Sequence, residues 1–404
     1  MDAYIHRDIF GTKRHLFIHT SGEYSWTERI PDDAWVFSRE AALRSVNSIM
    51  RLLSIELPGL EFEEHVRSLR EGLDVHVGTV PWHLILSKKQ FGSWCSGLVE
   101  RVGGAVQQFS SDRYAPTFIS NGQCLPELRP ACIDLDKLQG YLAAEDNATI
   151  RKTLISAVPE EGDLAERVTY SMVDTSTGRL VVRSGPQVLT LPKKYRDIFC
   201  SKHRGGTVYQ VDFISLEPRV ARLLSGTTVE RDVYEAISRE IFSGELERKE
   251  VKLAVLCALY GGSARRLSNM LSGRASAPTV IRKVRKYFAV VDLTTRLTAQ
   301  LEKQGYIENF YGRRLHPTSD SKNLLISHFL QSTAVDVALK GFSQLVRQRC
   351  RGLRVDPLLV IHDALLLDVH PSDDEQFRRL VKEGVLLDGL GSFPLSLDVV
   401  SRSA

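Results

Sequence analysis

The chain has 404 residues, 43% hydrophobic and 25% charged, an ordinary globular composition that excludes a disordered protein and provides apolar mass for two or three domains. A net charge of +4 identifies no partner class. Six scattered cysteines without a CxxC pair argue against a zinc site or a disulfide framework, and neither a secretory apolar core nor an apolar run of roughly 18–20 residues is present, so reduced thiols and a cytoplasmic location are expected, with no membrane partner.

Up to about residue 165 the chain reads as short mixed segments with turn signals, such as "IPDD" (30–33), "ISNGQ" (119–123) and "VPEEGD" (158–163). One amphipathic helix is predicted around 39–53, where Ala42, Val46, Ile49 and Leu53 recur near helical spacing. "IDLDKL" (133–138) offers Asp134 and Asp136, but a lone Asp-x-Asp is more often surface than site.

Beyond residue 165 the pattern becomes legible. "GTVYQVDF" (206–213) is β-rich and ends on an acid, and "SLEPRVARLL" (215–224) reads as a helix. Ser215 is its expected N-cap, Pro218 sits in the first turn, and Leu216, Val220, Leu223 and Leu224 form one apolar stripe. Asp212 therefore lies where a strand hands over to a helix. "RKEVKLAVLCALYGG" (248–262) predicts a helix stopped by Gly261–Gly262. Arg248, Lys252, Leu256 and Tyr260 recur every four residues, a step of about 400°, and so share one slowly drifting face. Two cations and a ring on one face suit a ligand carrying phosphates at one end and a base at the other. Taken alone, a basic stripe beside a core tyrosine is the simpler account. A long helix is expected over 321–349, with Leu330, Ala334, Val337 and Leu345 on its apolar side. "VIHDALLL" (360–367) reads as a buried hairpin whose Asp363 holds the turn. Basic runs at 193–204, 282–286 and 347–354 make a polyanion partner worth testing, although solvated faces are their usual fate.

Asp212 and Asp363 call for a joint explanation. Carboxylates about 4 Å apart repel by roughly 4 kcal/mol at an effective dielectric of 20. A divalent cation reverses that sign, and Mg²⁺ is commonly held by one or two carboxylates plus substrate phosphates. A phosphate-reading helix between the two acids in sequence is the layout of metal-assisted nucleotidyl transfer.

At this point the chain resembles a known family. "DFISLEPR" (212–219) is similar to the first polymerase motif of the family A DNA polymerases, the bacterial DNA polymerase I family. Arg248, Lys252 and the Tyr260–Gly261 pair match the second motif in spacing, and "IHDA" (361–364) resembles the third, usually Val-His-Asp-Glu. "TGRL" (177–180), "GYIENFYGRR" (305–314) and "QSTAVD" (331–336) are weaker echoes in the family order. The resemblance covers about 165–404. An ordered set of this kind is far more specific than any one motif.

The resemblance implies an α+β right-hand fold with an antiparallel palm sheet, helical fingers and a reduced thumb, next to a small N-terminal region of unknown fold. The expected division is 1–94 for that region, with a degenerate exonuclease as one reading, 95–165 for the thumb and 166–404 for palm and fingers, the fingers at about 225–300. It implies a template-directed DNA polymerase that adds deoxynucleoside triphosphates to the primer of a primer-template DNA, using two Mg²⁺ ions with Mn²⁺ as a substitute. Asp212 and Asp363 would be catalytic and, with the carbonyl of Phe213, would hold the metals. Glu217, Arg248, Lys252, Leu256 and Tyr260 would bind the nucleotide, and Arg179, Gln331 and His362 the primer-template. A processivity or replisome protein is a compatible partner. The rivals are a single-subunit RNA polymerase, which the resemblance disfavours because an acid at Glu217 blocks a ribose 2′-hydroxyl, and a catalytically silent nucleic-acid-binding protein on the same fold.

The departures from the family pattern are specific. Ala364 stands where the family usually has an acid, and Leu256 replaces an aromatic residue. Only about 28 residues (220–247) separate the first two motifs, which implies trimmed fingers. The N-terminal region contains no Asp-x-Glu of the kind that begins a proofreading exonuclease, so none is expected.

Overall fold

The structure, a computed structural model, describes residues 1–39, 44–57, 68, 72, 80–227 and 229–403. The chain forms two units, Met1–Ala115 and Pro116–Ala404.

In the first unit, strands β1 (Ala3–Ile5), β2 (His15–Ile18), β3 (Tyr24–Thr27) and β4 (Trp35–Phe37) form a sheet in the order β3-β2-β1-β4. All its pairings are antiparallel except β1 with β4. The helix expected over 39–53 appears as α1 (Val46–Leu52), with Val46 and Ile49 buried, while Ala42 lies outside the described residues. Helix α2 (Lys88–Ser110) opens on a capping box made by Ser87 and Gln90 and buries Trp94, Leu98, Val102 and Phe109. The boundary expected after residue 94 falls inside this continuous helix, and the unit runs on to Ala115.

The second unit is built on strand β5 (Thr207–Phe213). Six of its seven residues are buried and Asp212 alone is half-buried, as befits a central strand covered on both faces. The other strands are β6 (Val355–Ile361), β7 (Ala364–Val369) and β8 (Leu395–Arg402). The sheet order is β6-β7-β5-β8, wholly antiparallel. Helix α3 (Leu216–Leu224) follows β5 as expected and buries Leu216 and Val220. Ser215 occupies the N-cap position but makes no side-chain cap. It is left-handed (φ 55°) and its hydroxyl approaches Asp232 at 3.5 Å instead. A tight reversal after β5, which propensity does not report, sets this conformation.

Five helices follow: α4 (Val233–Phe242), α5 (Arg248–Tyr260), α6 (Ala264–Leu271), α7 (Ala277–Tyr287) and α8 (Val290–Gln304). Helix α5 ends on left-handed Gly261 (φ 72°), as its sequence predicts. The long helix α9 (Lys322–Ser343) runs on through a π-turn to Arg349, and Leu330, Ala334, Val337 and Leu345 are all buried.

Helix α9 approaches the sheet closely at Gly341. A Cβ there would meet Cζ of Phe213 at 2.6 Å and Cγ2 of Val385 at 3.2 Å. Phe213 is itself wedged against Phe342 and Phe393. Gly341→Ala is therefore expected to destabilise the protein by about 1–3 kcal/mol through overpacking. Calorimetry should show a lower thermal midpoint; an unchanged one would mean that Phe213 yields freely.

The structure also bears on two readings of charge. Asp134 accepts from the backbone of Lys137 at 3.0 Å and caps the helix Leu135–Ala144, a structural role. Three arginines of the basic run at 347–354 are paired with acids of the same unit, largely at the surface. Arg347 pairs with Glu127, Arg349 with Glu383, and Arg354 with Asp373.

Candidate active site

The two acids meet because of strand register. Asp212, next to last in β5, pairs directly with Ala364 of β7, and Asp363 immediately precedes Ala364. The β6–β7 hairpin closes in two residues, His362 and Asp363, between the paired Ile361 and Ala364. The backbone N–H of Phe213 donates to the Asp363 carbonyl at 3.4 Å, joining the strand end to the hairpin tip. His362 is exposed and left-handed (φ 56°), so it is not a buried core histidine; the turn holds it outward.

Burial first, and then the negative charge of Asp363, push the Asp212 carboxyl up to about 7, although Lys193 acts in the opposite direction. The protein alone does not fully neutralise this pair. Two carboxylates and the neighbouring Phe213 carbonyl are hard oxygen donors, a set that fits Mg²⁺. Among the described residues no group of three or more His, Cys, Asp or Glu side chains gathers into a metal cluster. A cation here would therefore complete its shell with water and substrate phosphates. Ala364, buried opposite Asp212, adds no third acid.

Beside Asp363 lies a cavity of about 330 Å³. Arg179, Glu217, Gln331 and His362 line it with apolar walls from Leu180, Leu216 and Leu339. Residues separated by up to 184 positions in sequence thus share one cavity. Glu217, in the first turn of α3, accepts a hydrogen bond from the Tyr260 hydroxyl and pairs with Arg179 at 3.3 Å. Burial, followed by the Glu217 charge, drives the Tyr260 hydroxyl strongly upward, so it is a proton donor throughout the physiological range.

On α5, Arg248, Lys252 and Leu256 are exposed and Tyr260 is half-buried, so the expected face exists. Arg248 is not free there. Its Nε donates to Asp232 at 2.8 Å, and its guanidinium lies 5.1 Å from the centre of the Tyr234 ring. Asp232 also caps α4 through the backbone of Tyr234 at 2.8 Å. The sequence reading missed Asp232 and Tyr234. The N-cap pattern of "DVYEA" (232–236) was visible, but nothing local connects it to Arg248. Arg196 and Gln210 were missed as well: Arg196 Nη1 donates to Gln210 Oε1 at 2.7 Å, and Gln210 Nε2 to Asp212 Oδ2 at 3.4 Å.

The sequence model of DNA polymerase family A matches residues 108–400. The chain belongs to this family. DNA polymerase I of Pseudomonas aeruginosa is 27% identical over 265 residues, covering 57% of this chain and 28% of the relative. The DNA polymerase of Mycobacterium phage L5 is 26% identical over 243 residues, covering 56% of this chain and 39% of the relative. This family A chain thus spans well under half the length of these curated relatives. Among solved structures it is similar to the POL domain of Pol1 from M. smegmatis, in complex with DNA primer-template and dNTP. The TM-score is 0.63 at 16% identity, covering 98% of this chain and 94% of that one. That likeness establishes the fold: the β6-β7-β5-β8 sheet is the palm of a family A polymerase. No helix among the described residues is long and apolar enough to cross a membrane.

Proposed function

We propose that the protein is a DNA-directed DNA polymerase that extends a primer 3′-hydroxyl with deoxynucleotides. The observation that carries this reading is the meeting of Asp212 and Asp363 at the end of adjacent palm strands, next to a cavity lined by Arg179, Glu217, Gln331 and His362. Family membership supports it.

Asp212, Asp363 and the Phe213 carbonyl would hold two Mg²⁺ ions. When bound, these supply the lowered pKa of the primer hydroxyl and the neutralisation of charge on the triphosphate. The chain's own residues do the rest. Arg248 and Lys252, one turn apart on the exposed face of α5, grip the triphosphate, Arg through its fork of donors and Lys as a point charge. Asp232 holds the Arg248 guanidinium in place before nucleotide arrives. Leu256, on the same face, offers an aliphatic surface to the base. Arg179, Gln331 and His362 touch the primer terminus and the minor-groove edge of the duplex, sensing pair shape through acceptors common to all base pairs. Glu217, fixed by Tyr260 and Arg179, limits the space at the sugar 2′-position.

Primer extension with Mg²⁺ tests the reading, comparing deoxynucleotides, ribonucleotides and no nucleotide. Failure to extend with deoxynucleotides overturns it. Arg248→Ala and Lys252→Ala should each lower kcat/KM about 10–100-fold, mostly through KM, since each removes a charge-assisted contact worth roughly 1.5–3 kcal/mol. An unchanged KM for the nucleotide would place the triphosphate elsewhere. The polymerase also acts without proofreading in this reading. Given Mg²⁺ and a mismatched primer but no nucleotide, the protein should leave the primer intact, and progressive 3′ shortening would refute that.

A further inference from the structure

We propose that Arg196 and Gln210 form a positioning relay that sets the Asp212 carboxylate for cation binding. The inference rests on the polymerase reading of the site and extends it to residues outside the polymerase motifs. Gln210 lies two residues before Asp212 on β5, so both side chains emerge on the same face of the palm sheet. It is only 3% exposed, flanked in register by Leu366 on β7 and Asp398 on β8. A side-chain amide at that depth needs partners for both of its ends. It has them: Oε1 accepts from Arg196 Nη1 at 2.7 Å, and Nε2 donates to Asp212 Oδ2 at 3.4 Å.

Arg196 comes from the short 3₁₀ helix Lys193–Ile198, which packs against β8. Its guanidinium is half-buried, its Nε is buried with no hydrogen-bond partner, and the charges of Asp212 and Asp363 both bear on it. Yet it makes no ion pair with either acid among the described contacts. A direct Arg196–Asp212 pair would take up the carboxylate and compete with a cation. The neutral amide between them passes on orientation while leaving Asp212 Oδ1 without a protein hydrogen bond among the described residues. Lys193, the other nearby cation, is occupied by Asp398 at 2.8 Å. The relay matters more here because Ala364 supplies no third carboxylate to help fix the cation. Partners that orient a metal ligand in this way are worth about 10–100-fold in metal affinity.

The test uses the full chain with Arg196→Met, Gln210→Met and the double variant. Mn²⁺ binding is followed by electron paramagnetic resonance on a complex with dideoxy-terminated primer-template and the complementary dNTP. Each single variant should bind Mn²⁺ about 10–100-fold more weakly. Because the residues act in series, the double variant should be no weaker than the worse single one by more than about twofold. Affinity for primer-template without metal should not change, which separates a relay from a general disturbance of the palm. Mn²⁺ affinity within about twofold of wild type in either folded single variant overturns the relay. Should Arg196→Met fail to fold, the nearly isosteric Gln210→Met decides alone. A wild type that binds Mn²⁺ but never extends a primer overturns the polymerase reading, while weakened Mn²⁺ binding in the variants still upholds the relay. A wild type that binds no Mn²⁺ overturns both.

Discussion

Replacing either palm aspartate is expected to abolish nucleotide insertion while leaving DNA binding nearly intact. Asp212→Ala and Asp363→Ala each remove one of the two carboxylates that meet where the β6–β7 hairpin joins β5, and no further acid stands at Ala364 to compensate. Loss of a catalytic cation withdraws several kcal/mol of charge stabilisation, so single-nucleotide insertion should fall by roughly three to four decades. Primer-template affinity should change little, because phosphate contacts from Lys and Arg dominate it. Stability should move the other way. Burial and the neighbouring Asp363 already press Asp212 towards its neutral form, so Asp212→Asn removes an unfavourable charge without changing volume. Its thermal midpoint in metal-free buffer should equal or exceed that of wild type. Near-normal turnover by Asp363→Ala would dismiss the assignment, and a Asp212→Asn variant that melts well below wild type would show that the carboxylates stabilise the fold.

The second large effect concerns the sugar. Glu217 is not a loose surface acid: Tyr260 donates to it from α5, and Arg179, which lines the same cavity, pairs with it. A ribose 2′-oxygen pressed against a carboxylate held from both sides meets overlap and loses water without gaining a comparable partner. Glu217→Ala should open that space and raise ribonucleotide use relative to deoxynucleotide by two to three decades, about 3–4 kcal/mol in the discriminating step. Tyr260→Phe, which keeps the carboxylate but frees one side of it, should give a smaller change in the same direction. Deoxynucleotide use should fall less than selectivity does, since Asp212, Asp363 and the Arg248–Lys252 face stay in place. Single-nucleotide insertion of both sugars on one template measures this. A wild type that prefers ribonucleotides, or a Glu217→Ala enzyme with unchanged selectivity, would favour the RNA polymerase alternative.

The sequence by itself determined the elements whose causes are local. The β-rich stretch Thr207–Phe213 was legible as a strand ending on an acid, Gly261 marked the end of α5, and the four-residue recurrence of Arg248, Lys252, Leu256 and Tyr260 placed them on one face whatever surrounded the helix. The ordered motifs named the family because their spacing is itself a sequence property. The N-terminal sheet was not legible, since strands of three or four residues carry too few alternations to register as a period. What faces what was decided only by the tertiary structure. Strand register set Asp212 against Ala364 and brought Asp363 beside it, and register depends on pairing between segments about 150 residues apart. The partners of the site residues follow from that packing: Asp232 on Arg248, Tyr260 and Arg179 on Glu217, Arg196 and Gln210 on Asp212. Hydrogen bonds between side chains distant in sequence leave no periodic trace along the chain. Their geometry exists only after the palm strands and the neighbouring helices have packed around the same site.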